Sequence, residues 1–387
     1  MATLRLPTAR FTVEDYRVGP ASPFPAAVTG TFPRIAYAAA HVVADPLADI
    51  APWQGVAVDW DATLAFRRHL WGLGFKIAEA MDTSQRGMGL DWPTALELIR
   101  RSTAEARTIA GADLACGVGT DQLPAAPGVS LEQVRRAYEE QLEAVEAAGG
   151  RAILMASRAL VQAARSAEDY VEIYGGLIRQ AREPVVLHWL GAMFDPALEG
   201  YWGSADLDTA TETVLALIRA HADRIDGIKI SLLDKSREVA VRRRLPAGVL
   251  MFTGDDFNYA ELIEGDAHGF SHALLGIFDP IGPAAAAAMQ ALGAGDRERF
   301  RAILGPTVPL SRKIFEAPTQ YYKAGVVFLA WLNGHQRHFV MVGGMQSARS
   351  ALHYAEVFRL ADQAGLIVDP ELATARMRQL MATCGVA

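Results

Sequence analysis

The chain has 387 residues, of which 51% are hydrophobic and 21% charged. That is an ordinary globular composition with enough apolar material for one or two large cores. The net charge of -7, without a stripe of Lys and Arg, argues against a nucleic-acid partner, because such binding rests on neutralising phosphates; a small neutral or anionic metabolite fits better.

Residues 1–30 carry Arg5, Glu14, Asp15 and four prolines without an apolar h-region, so they are expected to form an N-terminal arm (residues 1–33) and not a secretory signal. From there, short β-rich runs alternate with longer amphipathic segments, the pattern of βα units around a parallel sheet. Eight runs are predicted, at 35–43, 75–80, 113–118, 151–156, 184–189, 226–231, 248–253 and 269–275. Most are continuously apolar, as befits strands covered on both faces. Between the third and fourth runs, Leu131, Val134, Tyr138, Leu142 and Val145 recur at steps of three and four. They share one helical face, with Ser130 as N-cap and Gly149-Gly150 as stop. Residues 205–222 show the same periodicity.

Eight strands with intervening helices predict an α/β fold, a closed (β/α)8 TIM barrel over 34–282. Residues 283–387 are expected to add C-terminal helices packed on the barrel, broken by Pro306, Pro309 and Pro318, with one strand-like run near Val340. The alanine run Ala284–Ala288 reads as helix. The longest apolar tracts, 283–292 and 324–332, fall short of the roughly 18 residues a membrane span needs. Cys116 and Cys384 alone make neither a disulfide framework nor a thiolate zinc site and suit a reducing cytoplasm. No glycine-rich phosphate fingerprint occurs.

Barrel chemistry gathers where strands end at the C-terminal face. The sixth run, Asp226-Gly-Ile-Lys-Ile-Ser231, places a lysine inside an apolar stretch in a chain with five lysines and thirty-two arginines. A buried lysine whose pKa falls becomes a nucleophile toward carbonyls, which arginine cannot do; an ion-paired strand-end lysine is the alternative reading of the same residue.

The order of further motifs resembles the dihydrodipicolinate synthase and N-acetylneuraminate lyase superfamily from about Ile35 to Gly334. The matching segments are Gly227-Ile228-Lys229, Thr253-Gly254-Asp255-Asp256, the glycine-containing Ala267-His268-Gly269-Phe270-Ser271, and Pro318 with Lys323-Ala324 onward. The spacing from the lysine to Gly-Asp-Asp is the most specific of these. The resemblance implies that Lys229 condenses with a keto group and that the iminium serves as electron sink. It implies that Thr83 and Ser84 hold a substrate carboxylate or sugar hydroxyls, a helix N-cap without a ligand being the alternative reading of the pair, that Gly254 gives close backbone approach, that Asp255 or Asp256 supports a polar network, and that the protein assembles as a homodimer or homotetramer.

Departures from the family pattern bear on the substrate. Where the family has a proton-relay tyrosine at the end of the fifth strand, this chain has His188, a side chain able to serve as acid and base near neutral pH. The tyrosine pair after the fourth strand is absent, and Arg158 stands there as an anion contact or as a surface arginine. Ser271 with His272 replaces an apolar residue, and the aldehyde-gripping arginine is replaced near Met193. These changes point away from dihydrodipicolinate synthesis and toward another keto acid or a keto sugar, with no cofactor beyond the lysine imine. The aromatic groups Trp189, Phe194, Tyr201, Trp202 and Tyr321, Tyr322, Phe328, Trp331 read as packing, with a lid or an oligomer contact as alternatives.

Two rival readings remain at this point. A divalent-metal aldolase would draw on Asp82, His188, Asp255, Asp256, His268 and His272, although His268 and His272, if on one strand, would lie about 13 Å apart. A non-catalytic binding barrel is the other, against which stands the cost of burying an amine that mere binding does not require.

Overall fold

The computed structural model describes residues 2–27 and 30–386. Eight parallel strands close into a barrel: β3 Ala36–Ala39, β4 Lys76–Glu79, β5 Leu114–Val118, β6 Arg151–Leu154, β7 Val185–Leu190, β8 Ile225–Ser231, β9 Leu250–Thr253 and β10 His272–Leu275. Each pairs with the next in chain order and β10 returns to β3. All eight predicted runs therefore hold strands: six are shorter than predicted, β7 is shifted by one residue and β8 is longer by one. Every residue of β3 and of β5 is buried, which is why these strands read as unbroken apolar stretches.

Two strands precede the barrel, β1 Thr3–Pro7 and β2 Val13–Arg17. The helices are α1 Trp60–Gly72, α2 Trp92–Ala106, α3 Leu131–Ala148, α4 Arg158–Ala163, α5 Ala167–Gln180, α6 Leu207–Ala220, α7 Lys235–Arg242, α8 Tyr259–Glu264, α9 Gly282–Gly293, α10 Arg297–Leu304, α11 Thr307–Ile314, α12 Tyr322–Leu332, α13 Ala351–Gln363 and α14 Pro370–Thr383. The chain divides into two compact units that interleave along the sequence. One comprises 34–40 and 76–275, with the whole barrel and α2 to α8; the other comprises the residues up to Pro33, 41–75 and everything from Gly276.

Within the barrel unit, alternate side chains of the strands fill the interior, among them Tyr37, Ala78, Ile153, Val186, Phe252 and Leu274. A Cβ on Gly227 would come within 2.7 Å of the Phe252 ring, so that glycine makes room for the aromatic. Outside, α3 starts where Ser130 accepts from the Gln133 amide in a capping box and stops at Gly149, whose φ of 86° suits only glycine comfortably. Its predicted face is buried at Val134, Tyr138, Leu142 and Val145, while Glu132 and Arg136 stay in solvent. Each of those four side chains contributes about 1.5–3 kcal/mol by leaving water.

The aromatic segment after β7 is packed, with Trp189, Tyr201 and Trp202 all buried. Tyr201 shares a hydrogen bond of 2.7 Å with Tyr174 and accepts from the Ser157 amide at 3.0 Å, and Tyr138 donates to the Met155 carbonyl at 2.5 Å.

In the other unit β1 and β2 form an antiparallel hairpin. Tyr16 donates to Asp362 of α13 at 2.7 Å, and Arg359 donates to the Pro7 carbonyl at 2.8 Å. All of α12 is buried, so Tyr322, Phe328 and Trp331 are core residues. The strand-like run near Val340 is not a strand: residues 338–341 are irregular, because Phe339 stacks on Trp331 with ring centroids 5.4 Å apart instead of pairing along a ladder. Among the described residues no helix is long and apolar enough to cross a membrane.

Candidate active site

Strand β8 carries Gly227, Lys229 and Ser231 on one face, and its register sets Val186 against Gly227 and His188 against Lys229 on β7. Val186 belongs to the barrel interior; with a side-chain period of two, His188 and Lys229 project inward as well. Both are buried, at 0% and 6% exposure. His188 Nε2 lies 3.2 Å from Ser231 Oγ, and His188 Nδ1 is buried without a hydrogen-bond partner. Gly254 closes over this group from the end of β9. A Cβ there would stand 2.6 Å from Lys229 Cε and 2.9 Å from the Ile230 carbonyl, and would collide with Ser231 Oγ.

Desolvation lowers the Lys229 pKa below its ordinary 10.5, and the charges of Asp82 and Asp256 only partly restore it. For His188 burial and the neighbouring Lys229 charge act together and push it down to about 3, against the opposing pull of Asp82. The expected histidine titration near neutrality is thus corrected: the imidazole is neutral at physiological pH, and burial is the reason.

The segment after β4 forms a 3-10 turn over Asp82–Ser84. It is bracketed by two non-glycine residues with positive φ, Ala80 at 50° and Gln85 at 67°, a conformation that L side chains adopt at a cost and that clusters at functional sites. Thr83 and Ser84 are buried, and Ser84 donates to the Met81 carbonyl at 2.7 Å. The charge of Asp82 in this turn favours the protonated forms of both Lys229 and His188. After β9, Asp255 accepts from the Phe257 amide at 2.9 Å, the Asn258 amide at 3.0 Å and Asn258 Nδ2 at 2.8 Å. It braces the turn, and Asp256 is the acidic residue of the pair that acts on Lys229.

Of the remaining expected residues, Arg158 stays on the segment after β6, with Nη1 3.7 Å from where a Cβ on Gly87 would stand, whereas Ser271 and His272 are placed elsewhere. Arg158 pairs with Asp195 at 2.5 Å and is the more exposed partner, joining the segments after β6 and β7. Ser271 and His272 stand at the amino end of β10, the end opposite to where barrel chemistry gathers. Ser271 donates to Glu238 at 2.7 Å, and His272 Nδ1 accepts the Ile35 amide at 2.8 Å. The predicted run began at 269, which placed them too far along the strand. Ser231 and Asp82 were not among the expected catalytic or substrate-binding residues. The two-residue step from Lys229 and the place next to Thr83 were the available signals. Arg86, also unanticipated, is buried against Asp121, Gln141 at 2.6 Å and the Gly117 carbonyl at 2.8 Å. Among the described residues no three His, Cys, Asp or Glu side chains are arranged to hold a metal ion.

A family model described as "Protein of unknown function (DUF993)" matches residues 4–386. No curated protein matches the chain. Among solved structures, dihydrodipicolinate synthase from Aquifex aeolicus is similar with a TM-score of 0.63 at 13% identity, covering 86% of this chain and 99% of that one. The chloride-inhibited enzyme from Acinetobacter baumannii complexed with pyruvate gives 0.61 at 16%, covering 86% and 99%. Dihydrodipicolinate synthase from Bacillus clausii gives 0.61 at 16%, covering 84% and 96%. At these identities the likeness establishes a shared barrel fold.

Proposed function

We propose that this chain, which belongs to the family described as Protein of unknown function (DUF993), is a class I lyase that holds a keto substrate as an iminium on Lys229. The observation that carries the reading is a buried lysine projecting into the barrel, in register with a buried histidine. Burial lowers its proton affinity, so the neutral amine is reached below the pH an exposed lysine requires. Its lone pair adds to the keto carbon; the carbonyl oxygen takes up protons and leaves as water, and a C=N⁺ bond remains. That bond draws in the electron pair of an adjacent breaking bond and leaves an enamine. Aldol cleavage, condensation and dehydration all use this intermediate.

His188, neutral and within reach of Ser231, orients that hydroxyl beside the lysine. Thr83 and Ser84 orient substrate oxygens, and Gly254 lets the backbone lie against the lysine stem. The likeness to dihydrodipicolinate synthases, one of them complexed with pyruvate, supports this kind of reaction.

Borohydride trapping with a panel of 2-oxo acids and keto sugars, followed by peptide mapping, tests the reading. The adduct is expected on the peptide holding Lys229 and is expected to vanish in Lys229→Ala. Its rate of formation should climb with pH and level off below 10.5, without an inflection at the ordinary histidine value of 6.5. An adduct confined to other lysines removes the proposal.

A further inference from the structure

Strand β8 and its neighbours set one hydroxyl between the amine and the imidazole. Lys229 and Ser231 stand two residues apart on one face of β8, about 6.6 Å along a strand, and His188 faces Lys229 across the ladder from β7. His188 Nε2 lies 3.2 Å from Ser231 Oγ. A methyl group at Gly254 would overlap Ser231 Oγ and stand 2.6 Å from Lys229 Cε, so the hydroxyl and the end of the lysine stem border the same point. All three side chains are buried. Their hydrogen bonding is one-sided. His188 Nδ1 is buried with no partner, so a hydrogen placed there would leave an unpaired N–H in the interior, which is costly. Placed on Nε2, the hydrogen is donated to Ser231 Oγ. The serine oxygen then accepts from the imidazole, and its own hydrogen is left for a group beside the lysine.

We infer that Ser231 is a catalytic residue, the hydroxyl that carries a proton from the nitrogen to the oxygen of the adduct formed at Lys229. The inference rests on the proposed iminium at Lys229 and names the group that serves the step before it. When the neutral amine adds to the keto carbon, the new C–N bond leaves a positive N–H and a negative oxygen. Ser231 Oγ gives its hydrogen to that oxygen and takes one from that nitrogen, so the serine ends as it began and the adduct becomes a neutral carbinolamine. The nitrogen lone pair then expels the hydroxyl, a proton from solvent completes the departing water, and the C=N⁺ bond remains. His188 keeps its proton throughout. It is a positioning residue, whose N–H occupies one lone pair of the serine oxygen and leaves the other for the incoming hydrogen.

The test uses the intact protein with pyruvate and with dihydroxyacetone, at cyanoborohydride concentrations high enough that reduction does not limit the rate. The reductant delivers hydride to the iminium carbon and leaves a stable secondary amine. Mass spectrometry of the Lys229 peptide then gives the rate of iminium formation, followed across pH. Ser231→Ala is expected to lower that rate about a hundredfold, the lower end of what a positioned proton carrier contributes, and to leave the midpoint of the pH profile where it is. A hydroxyl that merely shaped the surroundings of the amine would move the midpoint instead. His188→Phe combined with Ser231→Ala leaves neither member of the pair unpaired and is expected to show the same loss, so the reading does not depend on the single variant folding. Labelling of Lys229 at the parent's rate in either variant, or a loss accounted for by a shifted midpoint, overturns the inference and leaves the iminium intact. Absence of label on Lys229 in the parent protein with both ketones overturns the iminium itself.

Discussion

At Lys229 and His188 burial works in one direction, since both groups lose protons more readily than in water, and the charge of Lys229 further disfavours the protonated form of His188. What keeps the lysine from being a purely hydrophobic stem is the pair of carboxylates, Asp82 and Asp256, which raise its proton affinity again. The packing that holds this balance is tight at one atom. Gly254 leaves no room for a methyl group beside Lys229 Cε and the Ile230 carbonyl. Gly254→Ala is therefore expected to cost about 1–3 kcal/mol through overpacking and to slow adduct formation on Lys229. Denaturant unfolding and trapping measured on the same variant check both effects, and an alanine variant with unchanged midpoint and unchanged labelling would contradict the close approach.

The segment joining α7, β9 and β10 contains a second buried acid. Glu238 of α7 is pushed up to about 8 by desolvation, with Asp255 adding to the shift and Ser271, Thr253 and Arg242 opposing it. Its Oε2 has no hydrogen-bond partner. The folded state therefore keeps a proton that the unfolded chain releases near 4.5. The contribution of this group to stability is intact below 4.5, declines as pH rises from there to about 8, and changes no further above it. Glu238→Gln removes the titration while keeping an amide in the same space. The stability difference between the variant and the parent should grow in the variant's favour from pH 5 to pH 8, read from thermal melts across that range. A difference that stays constant with pH would mean that Glu238 is ionised throughout. Ser271, which the motif placed at the substrate, acts here as the donor to this acid. The reason is local: β10 begins at His272, so the glycine-containing segment before it turns below the strand and never reaches the other end.

Over the whole chain the two compact units exchange segments, so residues near the N-terminus and near the C-terminus hold one another within a single unit. The hairpin is the clearest case. Tyr16 donates to Asp362, the Gly19 amide reaches the same carboxylate at 3.1 Å, and Arg359 bonds the Pro7 carbonyl. Tyr16→Phe, which deletes one hydroxyl from a charge-assisted bond, should lower stability by about 1–3 kcal/mol and leave labelling of Lys229 untouched. Equilibrium unfolding combined with trapping gives both readings, and a loss of labelling without a loss of stability would place the hairpin in the chemistry.

Local patterning sufficed for the elements of the barrel. Apolar runs bounded by turns became β3 to β10, and the three-and-four spacing with Ser130 and Gly149 became α3, because these features depend on near neighbours in the chain. The same period of two along β8 and β7 is what sends Lys229 and His188 inward. Contacts distant in sequence decided the rest. The hairpin at the N-terminus is tied down by a helix more than three hundred residues away, Arg158 is taken up by Asp195, and the proton affinities of Lys229 and His188 follow from what surrounds them. Desolvation and charge proximity are properties of space and not of chain order, so only the folded barrel sets which of its polar residues meet.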